Sequence, residues 1–213
     1  MKSKFLLPAI FVAVFAASRI PGLLPPNFSA AYAFAFCAGV YFPGALAWAL
    51  PLGVMLVTDI GLNCYYASHG IQVWDLSDLE NLFFNYAAYG VLIFLGRQFK
   101  PGSSLIGLLG GGLLSAILFY LITNTAAWLF NPFHNPEYTK TLTGWIIALT
   151  RGTGGYPSTW EFFRNTLLSG GLFTALFAAS EKLAAESPAD KNAGQRAPAD
   201  EAEEPGEPEE SQA

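Results

Sequence analysis

The chain is poor in the residues that soluble enzymes and metalloproteins are built around. Its 213 residues include two cysteines and two histidines, Cys37, Cys64, His69 and His134. Cys37 lies inside one apolar run and Cys64 follows the next, near the opposite end, so both are expected to remain free thiols. Cys64, His69, Asp75, Asp78 and Glu80 are metal-ligand types, but no repeated spacing organises them, and no metal site is expected. There is neither a Gly-x-Ser-x-Gly elbow nor a His-Glu-x-x-His helix. The glycine-rich segment 151–157 lacks the spacing and following Lys of a phosphate-binding loop. The chain is therefore read as a non-enzyme without cofactor, and any ATP-driven step would need another subunit.

Charge is scarce too: 13% of residues are charged, against roughly 25% in soluble domains. Even that fraction is inflated by the C-terminal end, where Ala, Glu, Asp, Pro and Lys replace large apolar residues from Glu181 onward. The net charge of -5 comes from the acidic run 201–210, so the body is near neutral and nothing suggests a nucleic-acid partner. Residues 183–213 read as a disordered acidic tail, and residues 1–182 as one domain.

What fills that domain is apolar sequence: 53% of the residues are hydrophobic, gathered in runs. The runs are 5–18, 28–42, 45–58, 82–95, 105–122 and 162–179. Six helices of ~20 residues fit the available length. The expected fold is all-α, a polytopic membrane bundle of about six transmembrane helices embedded in a lipid bilayer. The first run, with its basic start and small-residue end, also fits a cleavable signal peptide; a retained helix is favoured because all that follows is membrane-like. Pro43 and Gly44 make a tight turn between the second and third runs, and Pro51 and Gly53 should kink the third. Residues 142–150 are too few to span and read as an interfacial or re-entrant helix, either a lid or an ordinary surface element.

The polar residues that intrude on these runs fall at one end. Threaded back and forth, Arg19, Asn27, Asp59, Asn85, Asn124, Arg164 and Asn165 collect on one side of the bilayer, a costly placement unless they serve a pocket or hold helices together. Asn27 is placed to cap the second helix or to touch a ligand. Asp59 closes the third helix and needs a cation, which Arg19 or Arg164 supplies. Arg164 and Asn165 enter the sixth helix in its first turn, where free amides and the helix dipole favour an anion, making this the strongest site candidate. Trp128, one turn beyond Asn124, is the preferred aromatic wall; Trp74, Trp145, Tyr156 and Trp160 suit an interfacial belt. Lys2, Lys4, Arg97, Lys100 and Lys182 lie on the short-loop side, which puts both termini in the cytoplasm and the polar cluster outside.

Small residues recur four apart at Ala13 and Ala17, Ala45 and Ala49, and Gly107 and Gly111, a spacing that serves packing within the bundle or docking of a second membrane subunit.

The order of the motifs SRIPGLLPPNFS (18–29), VTD (57–59), ITNTAAW (122–128) and FFRNTL (162–167) resembles an uncharacterised family of bacterial six-helix membrane transport proteins over roughly residues 5–179. That family is distantly similar to the substrate-binding S components of energy-coupling factor (ECF) transporters. The resemblance implies a solute-binding component of the bacterial inner membrane, docked through Ala13 and Ala17 onto a transmembrane coupling subunit with separate ATPases. Its solute site would be the outer polar cluster: Arg164, Asn165, Asn124, Asp59, Arg19, Asn27 and Trp128. Ser169, Gly170 and Gly171 stand where an acidic residue is common in the family, so the charge of the site and its ligand stay open. The rival reading is a non-catalytic structural or assembly subunit of a membrane complex.

Overall fold

A computed structural model describes residues 6–185; the expected disordered tail lies, from residue 186 on, outside the described residues. Among the described residues all regular structure is helical. In chain order the helices are α1 (Leu6–Ser18), α2 (Ala31–Tyr41), α3 (Leu46–Ser68), α4 (Leu76–Gly96), α5 (Leu105–Phe130), α6 (Leu142–Thr150) and α7 (Thr159–Ala185).

The starts of α4, α5 and α6 are written in single residues. Asp75, Ser104 and Thr141 sit in extended backbone, and their side-chain oxygens accept from the amides of Asp78, Gly107 and Gly144. Asn131 ends α5 in the left-handed region (φ 46°), a conformation asparagine tolerates, and its amide then brackets the loop through Asn135. The interfacial helix expected at 142–150 is α6, packed on α5 and tied there by the Tyr120 hydroxyl to the Leu149 carbonyl and by the Trp145 indole to Thr125.

The six expected spans are not confirmed. Among the described residues three helices, α3, α4 and α5, are long and apolar enough to cross a bilayer. α2 has 11 residues and would extend only about 16 Å across a hydrocarbon core of about 30 Å. α2 is instead the centre of the bundle: Ala31 to Val40 are all buried, and it packs on α3, α4 and α5. A helix apolar on every side belongs inside other protein.

The outside of the bundle is apolar as well. Ile106 is 83% exposed and Val57 71%, and Phe83, Phe94, Leu168 and Leu176 are exposed too. So many exposed large apolar residues on four helices suit lipid as solvent better than water. The chain is a membrane-like helical protein.

The element boundaries correct several expectations. α3 continues past Asp59 to Ser68, and α5 past Asn124 to Phe130, so both polar residues lie within helices rather than at their ends. α4 begins at Leu76, six residues before the apolar run that announced it. The added turns of α3 carry Asn63, Tyr65, Tyr66 and Ser68, residues compatible with a helix that runs on out of the apolar layer.

Candidate functional site

The helices part at one end of the bundle around a cavity of about 740 Å³. One wall is the linker from Ser18 to Ser29; the others are the C-terminal halves of α3 and α5 and the N-terminal half of α4. Arg19, Asn27, Asp59, Asn85 and Asn124, five of the seven polar residues that the sequence gathers at one end, line it.

Arg19 and Asp59 form an ion pair, with the guanidinium Nη2 donating to the Asp59 Oδ1. The hydroxyl of Tyr86 on α4 donates to the other carboxylate oxygen at 2.8 Å. The Arg19 and Asp59 side chains are 19% and 14% exposed, so the network is largely withdrawn from solvent and joins the end of α1 to α3 and α4. The guanidinium also stands 5.8 Å over the Phe15 ring. Of the two cations considered for Asp59, Arg19 is the one that reaches it.

Asn27 does not cap α2. The cap position is Ala30, whose amide donates to the Ser18 hydroxyl at 3.0 Å, while Ser29 accepts from the Ala31 amide at 3.2 Å. Asn27 adopts a left-handed conformation (φ 60°) in the linker, and its carbonyl accepts from the Tyr32 hydroxyl at 3.3 Å. The tight turn required there displaces it from the helix start and leaves its amide at the cavity wall.

Arg164, Asn165 and Trp128 are not among the lining residues. Because α7 starts at Thr159, Arg164 falls in its second turn, beyond the free amides of the helix start, and the anion site expected there loses its basis. Arg164 is exposed and makes no hydrogen bond or ion pair among the described residues. It shares its helix face with Leu168, Leu172 and Leu176, all exposed, whereas Asn165, Thr166, Ser169, Phe173 and Phe177 face inward. Asn165 holds the cavity wall from behind: its side-chain amide donates to the Pro26 carbonyl at 2.9 Å. The Trp128 indole donates to the Thr139 carbonyl at 2.7 Å, and Lys140 crosses back to the Trp128 and Leu129 carbonyls, so this tryptophan belongs to the clamp at the end of α5.

No residue of α6 lines the cavity, so the lid reading of that helix has no support, and the surface-helix reading fits its packing on α5. Trp74, Tyr156 and Trp160 are exposed, as belt residues would be.

A model of one family matches residues 1–192, described as a family of unknown function, DUF6580. The chain belongs to that family. No curated protein and no solved structure matches it.

The sequence reading missed Tyr32, Tyr66, Tyr89, Phe119 and Asn81, all of which line the cavity. Asn81 was within reach, since it stands four residues before Asn85 and therefore on the same face of α4 once the helix is started at the Asp75 cap. The aromatics carried no such signal, because a tyrosine or phenylalanine in an apolar run reads as core. Tyr32 and Tyr89 flank Phe119, with ring centroids 4.8 and 4.9 Å away, and this cluster forms the floor.

Proposed function

We propose that this chain is a non-catalytic, solute-binding component of a membrane transport system, taking a small polar molecule into the cavity between the Ser18–Ser29 linker and α3, α4 and α5. The observation that carries the reading is the cavity itself. An end of an apolar bundle that merely needed closing would be filled with side chains; this one keeps about 740 Å³ open and lines it with amides and hydroxyls. The excess of Lys and Arg on the short-loop side supports cytoplasmic termini and an extracytoplasmic cavity in a bacterial inner membrane. The resemblance of its motif order to ECF S components would make a coupling subunit with ATPases the energy source. Ala13 and Ala17 are exposed on α1 and free for such contact.

One observation favours the alternative of a structural or assembly subunit: Arg19, Asp59 and Tyr86 bond one another and tie the end of α1 to α3 and α4, although the Arg19 Nε has no partner among the described residues. Native mass spectrometry of the protein purified in mild detergent separates the two. A small molecule retained by the wild type and lost from a folded Asn85→Leu variant is the expected result; a wild type that flies empty overturns the solute reading.

A further inference from the structure

On the reading that the cavity holds a solute, we infer that this solute is an uncharged, planar molecule bearing amide-type donors and acceptors, of nucleoside size or smaller. Its electrostatics point there first. Arg19 and Asp59 are the only charged residues among those lining the cavity, and each has the other as partner. Nη2 of Arg19 and the Asp59 carboxylate, which Tyr86 also holds, cancel each other, so the cavity carries no net charge. A charged solute would give up hydration there without meeting a net counter-charge to offset the loss. A zwitterion would find each of its charges beside a like as well as an unlike one.

The neutral groups, by contrast, are available. The side-chain amides of Asn27, Asn81 and Asn85 make no hydrogen bond among the described residues. Asn124 uses its NH2 on the Tyr120 carbonyl at 2.9 Å and leaves its oxygen over as an acceptor. Each amide offers donor and acceptor side by side, the pattern that the edge of a lactam, carboxamide or nucleobase matches. Tyr32, Phe119 and Tyr89 also line the cavity but are packed on one another and buried, so they leave only a narrow apolar strip, which suits a thin, flat molecule better than a compact polyol. A volume of about 740 Å³ lies within the usual range for small-molecule sites.

Matched probes test the charge rule on the full wild-type chain in detergent: nicotinamide against nicotinate, adenosine against adenosine monophosphate, and tryptophan as the zwitterion, read by isothermal titration and by the shift in Tm. The uncharged member of each pair should bind at least about tenfold more tightly than its anion, and tryptophan no better than the anions. Asn85→Leu should weaken the uncharged probes about tenfold, the loss of one hydrogen bond, without lowering the Tm of the free protein; Asn81→Ala gives the same readout should the first variant misfold. Anionic or zwitterionic probes binding as tightly as the neutral ones overturn the class and keep the solute reading. If no probe binds while native mass spectrometry shows a retained species, the class is again wrong. If the protein also flies empty, the solute reading has failed with it.

Discussion

The two ends of the bundle share α4 and α5 but use them in opposite ways. Where α2 ends and α4 ends, the backbones touch: a Cβ on Gly39 would lie 2.3 Å from the Ile93 carbonyl oxygen, and one on Gly96 2.1 Å from that of Phe36. Gly111 of α5 sits against the Phe36 and Phe99 rings in the same region. At the other end α3, α4 and α5 surround an open cavity, kept apart by large aromatic residues and bridged by Arg19, Asp59 and Tyr86. Close packing in a membrane comes from small residues and direct contact rather than from expulsion of water. The closed end therefore supplies cohesion, which frees the open end to keep polar groups unfilled.

The hardest blow to that contrast is a side chain at the closed end. Gly39→Val should cost about 3 kcal/mol, because the atom in the way is a backbone carbonyl that no rotamer change moves. The expected outcome is a marked drop in membrane level and a broadened gel-filtration profile; a normally folded protein would show that the α2–α4 contact is not what holds the bundle.

At the open end, Arg19→Ala removes the partner of Asp59. We expect about 2 kcal/mol of destabilisation, less than for a fully buried pair because the Arg19 side chain keeps 19% exposure. Adding Asp59→Asn to Arg19→Ala should recover part of the lost Tm, since no carboxylate is then left alone. No recovery would mean that Arg19 acts through packing over Phe15 instead.

This contrast was half legible in the sequence. The gathering of Arg19, Asn27, Asp59 and Asn124 at one end followed from the alternation of apolar runs, because antiparallel threading decides which run ends are neighbours. The depth and facing of each residue did not follow. Polarity was taken to mean helix end, and α3 and α5 ran on through it; Arg164 was ranked by chemistry when its four-residue spacing to Leu168, Leu172 and Leu176 already placed it on the outer face. The wall aromatics stayed hidden because nothing in a single sequence distinguishes a tyrosine over a cavity from one in a core.

The loops beyond the open end depend on Glu137, whose carboxylate accepts from the Gly154 amide at 3.0 Å and joins the α5–α6 connection to the α6–α7 connection. That hydrogen bond, with a smaller one from its own backbone, holds the Glu137 carboxyl below the ordinary glutamate value of 4.5. A lowered value in the folded state means that the stabilisation is present above the unfolded glutamate pKa and lost as pH falls through the folded one. The Tm advantage of wild type over Glu137→Gln should thus be small but steady at neutral pH and vanish below the glutamate range. A difference unchanged by acid would remove the carboxylate from the loop's support.

The smallest effect is expected at Arg164, and its smallness is informative. With its side chain exposed and unpartnered among the described residues, Arg164→Ala should change stability by no more than about 0.5 kcal/mol. It should also leave any species retained in native mass spectrometry unchanged, because Arg164 is not among the cavity-lining residues. Its neighbour provides the contrast within one turn of helix: Asn165→Ala deletes the bond to the Pro26 carbonyl and should cost about 1 kcal/mol, loosening the linker wall and weakening retention. Retention lost on Arg164→Ala but kept on Asn165→Ala would reverse the facing of α7 and return the site to its outer surface.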